Sequence, residues 1–191
     1  SHLTFANQRG DHLTMLDVYR EYDQSSDPES FATQHCLSIR GLRRAEHVSS
    51  DLRRQLAKAP SSRIQKKLTR RERIDTPRGS DEDLLKSVLA GYFAQIARLH
   101  GTGKYENIKG GALVSVSKQS VLSKYPSGRP VHWIVYHEVQ RSKYDEEAEI
   151  YDVSCVNPQW ITEVAPHYFT KRQGAGESGS GVGGGSLYYA D

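Results

Sequence analysis

Cysteine is nearly missing from this chain: Cys36 and Cys155 are the only two in 191 residues. They lie far apart, in no CxxC pattern and beside no histidine at metal spacing. That excludes a disulfide framework, which a small secreted domain would need, and predicts reduced thiols in a reducing compartment. Long apolar runs are also missing. None approaches the roughly 20 residues that cross a bilayer, and no signal-peptide pattern is visible, so no membrane partner is expected. Catalytic patterns are missing as well. In His100-Gly101-Thr102-Gly103-Lys104-Tyr105 the phosphate-cradling pattern fails twice. Arg98 stands where the first glycine belongs, and Tyr105 stands where the magnesium-binding hydroxyl belongs. Asp11-His12 and His132 to His137 have no third metal ligand at convincing spacing. No G-x-S-x-G elbow occurs. No catalytic residue, cofactor site or metal site is therefore expected within these residues.

Charge is present and unevenly spread. The chain carries +3 overall, yet residues 51–80 hold ten Lys or Arg against three acids. Such a stretch attracts polyanions, or is simply a solvated helix face. Before it the sequence reads as helical. Asp11 is a candidate cap, and Leu13, Leu16 and Tyr19 recur at three-residue steps, with Met15, Val18 and Tyr22 broadening the stripe. Asp27-Pro28 is a helix start. Phe31, Cys36, Leu37 and Ile39 offer an apolar side. Ala45, Val48, Leu52 and Leu56 share one helix face, and Pro60 stops it. A further helix is expected from Asp81 to about His100, capped by Ser80 and ended by Gly101, with Gly91 marking close approach of a neighbour.

After Gly103 the period shortens to that of strands. Lys104 to Ile108, Ala112 to Val116, Val131 to Val139 and Glu149 to Val156 are β-prone, with turn signals between them, and Pro158 to Glu163 closes as a helical turn. Several short strands suggest a small barrel. Trp133 and Trp160 are expected in the core. From Gly174 onward seven of the 16 glycines crowd into a tail expected to be a flexible linker. Its last six residues, Ser186 to Asp191, are unlike the rest of it. The fold class is α+β: a helical block over 1–100, a small OB-like β-barrel over 101–170 and the tail over 171–191.

Three segments, in order and at matching spacing, resemble one family. Gly10-Asp11-His12-Leu13-Thr14-Met15-Leu16-Asp17-Val18-Tyr19 is similar to the G-D-H-L-T-L-L-N-V-Y segment of DEAH-box RNA helicases. Gly91-Tyr92-Phe93-Ala94-Gln95-Ile96-Ala97 is similar to their G-[YF]-F-x-x-x-A helix. Trp133-Ile134-Val135-Tyr136-His137-Glu138-Val139, then Ser142-Lys143, then Trp160, Glu163, Ala165 and Pro166, resembles their W-[VI]-[VI]-Y-[HN]-E-[LV] strand, T-S-K turn and W-L-x-E-x-A-P end. The resemblance covers roughly residues 3 to 170. It implies the ratchet (helicase-associated) and OB-fold region of such a helicase, with ATP and magnesium held by motor domains preceding residue 1. Leu99 to Tyr105 leans toward spliceosome-associated members, which implies a nuclear or nucleolar protein acting in pre-mRNA splicing or related remodelling.

On that resemblance, the residues expected to touch single-stranded RNA are Arg40 in the helical block and Lys104, Tyr105, Lys109, Lys118, Ser120, Ser142 and Lys143 in the barrel. Basic and polar groove residues with aromatics for stacking are what an OB-fold uses. The competing expectation for Tyr105 is barrel core, and for the lysines solvated surface. The chain departs from the family at the loop reading Val116-Ser117-Lys118-Gln119-Ser120-Val121-Leu122, where only the serine and leucine of I-H-P-x-S-x-L survive. A different class of function is a protein-docking module for a G-patch activator or scaffold, using Phe31, Ile39 and Leu42. An unrelated OB protein is disfavoured by the Gly10 to Tyr19 match.

Overall fold

The computed structural model describes residues 2–58, 79–101, 103–124, 131–141, 148–166, 168–171 and 187–189. Much of the basic stretch, the linker and the turn holding Ser142 and Lys143 lie outside the described residues. The chain divides into two units. The first is Ser1–Ala6 with Met15–Ser80; the second is Asn7–Thr14 with Asp81–Asp191.

The first unit is helical. A 3-10 turn, His2–Phe5, precedes helix α1 (Asp11–Gln24), whose first turn belongs to the second unit. Helix α2 (Pro28–Gln34) starts as the sequence dictates: Asp27 accepts a hydrogen bond from Ser30 N, and Pro28 sits where a missing N–H costs nothing. Tyr22 is buried, and its ring lies 6.4 Å from Phe31, which in turn lies 6.1 Å from Phe5 and 4.6 Å from His35. Phe31, expected on an open docking face, is instead inside an aromatic cluster. Helix α3 (Ile39–Lys58) has no buried residue among those described, and Val48, Leu52 and Leu56 stand 49%, 53% and 45% exposed.

Helix α2 ends by a left-handed residue that is not glycine. Cys36 has φ +54°, Leu37 N donates to Ala32 O and Cys36 N to Thr33 O, which is the Schellman arrangement. A Cβ in this conformation costs about 1 kcal/mol relative to glycine. Cys36 is exposed, so little packing is lost with its side chain. Cys36→Gly is therefore expected to stabilise the chain by roughly 0.5–1 kcal/mol in urea denaturation.

The second unit is built on a seven-stranded sheet ordered β5-β6-β3-β2-β1-β4-β7. The strands are β1 (Ile96–Leu99), β2 (Tyr105–Asn107), β3 (Leu113–Val116), β4 (Trp133–Val135), β5 (Glu138–Arg141), β6 (Ala148–Tyr151) and β7 (Ser154–Cys155). All pairings are antiparallel except β3 with β6. Strand β4 is buried throughout because both its faces are covered. Trp133 and Val135 join Leu85, Leu89, Ile96, Trp160 and Ile161 beneath helices α4 (Asp81–Gly91) and α6 (Pro158–Val164). Ile134 and Tyr136 point the other way, into a cluster with Ala97, Tyr105, Val114, Ile150 and Val153. The period-2 alternation of a strand thus feeds two apolar clusters at once. Both tryptophans are core, each 8% exposed.

The structure corrects the helix expected to reach His100. It stops at Gly91, and β1 follows within the stretch expected to be helical, so the sheet starts before residue 101. Nothing lies within 4 Å of a Cβ built on Gly91, so this glycine ends a helix instead of admitting a neighbour. Ile96 and Ala97 are buried in opposite clusters, which suits a strand buried on both faces. Gly101 lies in the β1–β2 connection, where His100 N donates to Lys104 O. Two further strands, β8 (Phe169–Lys171) and β9 (Leu187–Tyr189), pair antiparallel as a separate ribbon.

Candidate nucleic-acid interface

The Gly10-Asp11-His12 segment, which carries the family resemblance, is a clamp on the sheet unit. Asp11 is expected to cap a helix, but its carboxylate reaches elsewhere. Oδ1 accepts from Val121 N at 2.8 Å and Oδ2 from Val153 N at 2.8 Å, while Asp11 N donates to Val153 O at 2.8 Å. Gly10 has φ +124° and lies so close that a Cβ there would meet Ser154 Cα and Val153 O, both at 2.5 Å. His12 N donates to Ser154 Oγ, and its Nδ1 lies 2.9 Å from the same oxygen. Cys155 N and Sγ both donate to Arg9 O. Among the described residues, no buried side-chain nitrogen or oxygen lacks a partner.

Burial holds the His12 pKa below its ordinary value; the nearby Asp152 and Asp11 oppose this and His137 adds to it. The unfolded chain therefore binds the proton more readily than the folded one. The contribution is fully present above the ordinary value of 6.5 and is lost as pH falls through it toward the folded value. Unfolding midpoints are expected to drop on acidification from neutral pH, with a shallower drop in His12→Gln. Equal pH slopes in the two proteins would contradict this account.

The clamp bears on the loop proposed from sequence to meet RNA. Asp11 holds Val121, the first residue of helix α5 (Val121–Lys124), and the turn carrying Lys118 leads directly into it. Ser120 is 4% exposed and its Oγ accepts from Leu122 N, so it caps α5 and cannot present a hydroxyl to a ligand. Tyr105 is 9% exposed and its hydroxyl donates to Val131 O at 2.8 Å; its ring packs in the inner cluster and is unavailable for stacking. Both residues lie in the interior of the sheet unit, which for Tyr105 is the competing expectation of barrel core. Ser142 and Lys143 lie outside the described residues.

Lys109 and Lys118 are exposed, and Lys104 is half-buried. The register Tyr105↔Val114 puts Lys104, just before β2, and Lys118, just after β3, at one end of that strand pair. Lys109 lies at the other end, beside the turn in which Gly111 N donates to Asn107 O. The expected basic set is thus divided. Arg40 is exposed on α3, in the first unit. Between the two ends, an exposed row runs across the strands. Arg98 pairs with Glu106 at 3.2 Å and its guanidinium lies 5.9 Å from the Trp133 ring, and Leu113 beside them is 44% exposed. Sequence reasoning missed Arg98, because it reads Leu89 to Ala97 as a helical stripe. Among the described residues no three His, Cys, Asp or Glu group as metal ligands, and no helix is long and apolar enough to cross a membrane.

Comparison with known proteins agrees with this architecture. Residues 84–168 match the model of the oligonucleotide/oligosaccharide-binding (OB)-fold family. The chain is 32% identical over 169 residues to probable ATP-dependent RNA helicase DHX35 of Pongo abelii, covering 88% of this chain and 21% of that protein. The Homo sapiens DHX35 is 32% identical over 173 residues, covering 88% of this chain and 22% of that protein. The pre-mRNA-splicing factor ATP-dependent RNA helicase prp22 of Schizosaccharomyces pombe is 33% identical over 167 residues, covering 86% and 13%. This chain therefore spans about a fifth of the length of the DHX35 proteins it matches. A helical block, a clamped OB-like sheet unit and matches running along most of the chain agree with one another: the chain is homologous to DEAH-box RNA helicases over most of its length and carries an OB-fold.

Proposed function

We propose that this chain is an accessory region of an ATP-driven RNA helicase, contacting single-stranded RNA and shaping the path it follows during pre-mRNA splicing or a related remodelling step in the nucleus. The carrying observation is the exposed Lys118 turn, held against the OB unit by Asp11, with Lys104 at the same end of the β2–β3 pair. Lys109, Arg40 and the Ser142-Lys143 turn extend the proposed contacts. Hydrolysis of ATP with magnesium belongs to motor domains of the parent protein. Exposed Val48, Leu52 and Leu56 on α3 favour a second reading, docking of a protein partner such as a G-patch activator.

The test is titration of the chain with labelled single-stranded RNA at two salt concentrations. Each phosphate contact contributes a slope of about −0.7 in log affinity against log salt. Lys104→Glu with Lys118→Glu is expected to weaken binding about tenfold or more and to flatten that slope. Absence of binding at low salt would overturn the RNA reading, and unchanged binding by the double variant would overturn the residue assignment.

A further inference from the structure

We infer that the edge of β8 is a docking site for an extended peptide segment, occupied within this chain by its own residues Leu187–Tyr189. The site is independent of the proposed RNA contacts. Strand β8 is fixed at its start: Phe169 is buried in the cluster beneath α4 and α6, and Tyr168 N and Phe169 N both donate to Ala165 O at the end of α6. The Tyr168 ring lies 4.9 Å from Phe93 and 5.0 Å from Phe169. Among the described residues β8 is not part of the seven-stranded sheet; its partner is β9, in the register Phe169↔Tyr189, Thr170↔Tyr188 and Lys171↔Leu187. One strand is thus anchored in the core, and the other arrives from beyond fifteen residues, 172–186, seven of them glycine.

An isolated two-stranded ribbon is marginal in water, and three opposed pairs are few. Its stability rests on the anchored strand and on the tether, which holds the second strand at a high local concentration. A strand held this way is exchangeable. The edge it covers offers main-chain donors and acceptors that any extended segment can use, which is the chemistry of strand addition. Leu187 to Tyr189, whose sequence breaks the glycine-rich pattern, are this site's resident ligand, and a partner with a similar extended apolar-aromatic segment would compete with them.

Two measurements on the full 191-residue chain test this. Thr170→Cys with Tyr188→Cys places thiols at an opposed register position, and mild oxidation is expected to close them within one chain at least tenfold faster than Thr170→Cys with Gly184→Cys. Equal rates overturn the pairing. Tyr188→Pro removes an N–H from β9 and should free the edge. A synthetic Ser-Leu-Tyr-Tyr-Ala-Asp peptide is then expected to shift the amide resonances of Phe169 to Lys171 in the Tyr188→Pro chain, and to leave them unmoved in the unsubstituted chain at the same concentration. No shift in the variant overturns the docking site; equal shifts in both overturn occupancy by the chain's own segment.

Discussion

Gly10→Ala is expected to destabilise the chain by about 3 kcal/mol or more, a large share of a typical folding free energy. Two causes act together. At φ +124° a side chain pays backbone strain, and the new Cβ would lie 2.5 Å from both Ser154 Cα and Val153 O. These obstacles are backbone, so no rotamer change relieves them. Retreat of the Val153–Ser154 segment would in turn stretch the Asp11 N to Val153 O bond and the one from Val153 N to the Asp11 carboxylate. Gly111→Ala is the control: φ is +65° but nothing lies within 4 Å, so only strain of about 1 kcal/mol is expected. Urea unfolding followed by the fluorescence of Trp133 and Trp160 measures both. A Gly10→Ala loss no larger than that of Gly111→Ala would show that the close approach does not matter.

Much of the fold was legible locally, and what was not legible has a physical cause in each case. Asp27-Pro28 reads correctly as a helix start because capping is settled within three residues. Strands β2 and β3 read correctly because glycines punctuate them, whereas Val131 to Val139 and Glu149 to Val156, each expected as one run, hold two strands apiece, broken at Tyr136-His137 and at Asp152, whose φ is +51°. Strand β1 does not read correctly, because Leu89, Phe93 and Ala97 keep helical spacing across Gly91, and only the chain's reversal after Tyr92 shows which signal wins. Tyr105 could have been core or stacking platform from sequence, because an aromatic side chain suits a strand on either face; its burial and its hydroxyl partner Val131 decide the matter. Ser120 carries a readable signal, a serine directly before a short helical run, and its Oγ caps that run by accepting from Leu122 N. Asp11 was the hardest. Its two N–H partners lie 110 and 142 residues away, and no local pattern encodes such a bond. The segment's resemblance identified the family, while its work is to fasten the sheet.

Asp11→Ala is the second change expected to have a large effect, a loss of about 3–5 kcal/mol, since two N–H groups lose a charged acceptor worth roughly 1.5–3 kcal/mol each. Asp11→Asn keeps the shape and one acceptor oxygen but turns an NH2 group toward the other N–H, so its loss should fall between those of Asp11→Ala and the unsubstituted chain. Amide hydrogen exchange separates the outcomes. Val121 and Val153 are both expected to lose protection in Asp11→Ala, and one of the two to keep it in Asp11→Asn. Unchanged protection at both amides with stability within about 0.5 kcal/mol would remove the clamp from the account. The same variant links the clamp to the proposed function. Val121 opens α5 directly after the Lys118–Ser120 turn, so releasing it frees the loop that carries Lys118. Asp11→Ala should therefore weaken RNA binding at temperatures where the chain is still folded, although Asp11 is 9% exposed and repels rather than attracts phosphate. A simple charge argument predicts the opposite sign, tighter binding on loss of an acid, so the direction of the change alone distinguishes a positioning residue from a bystander.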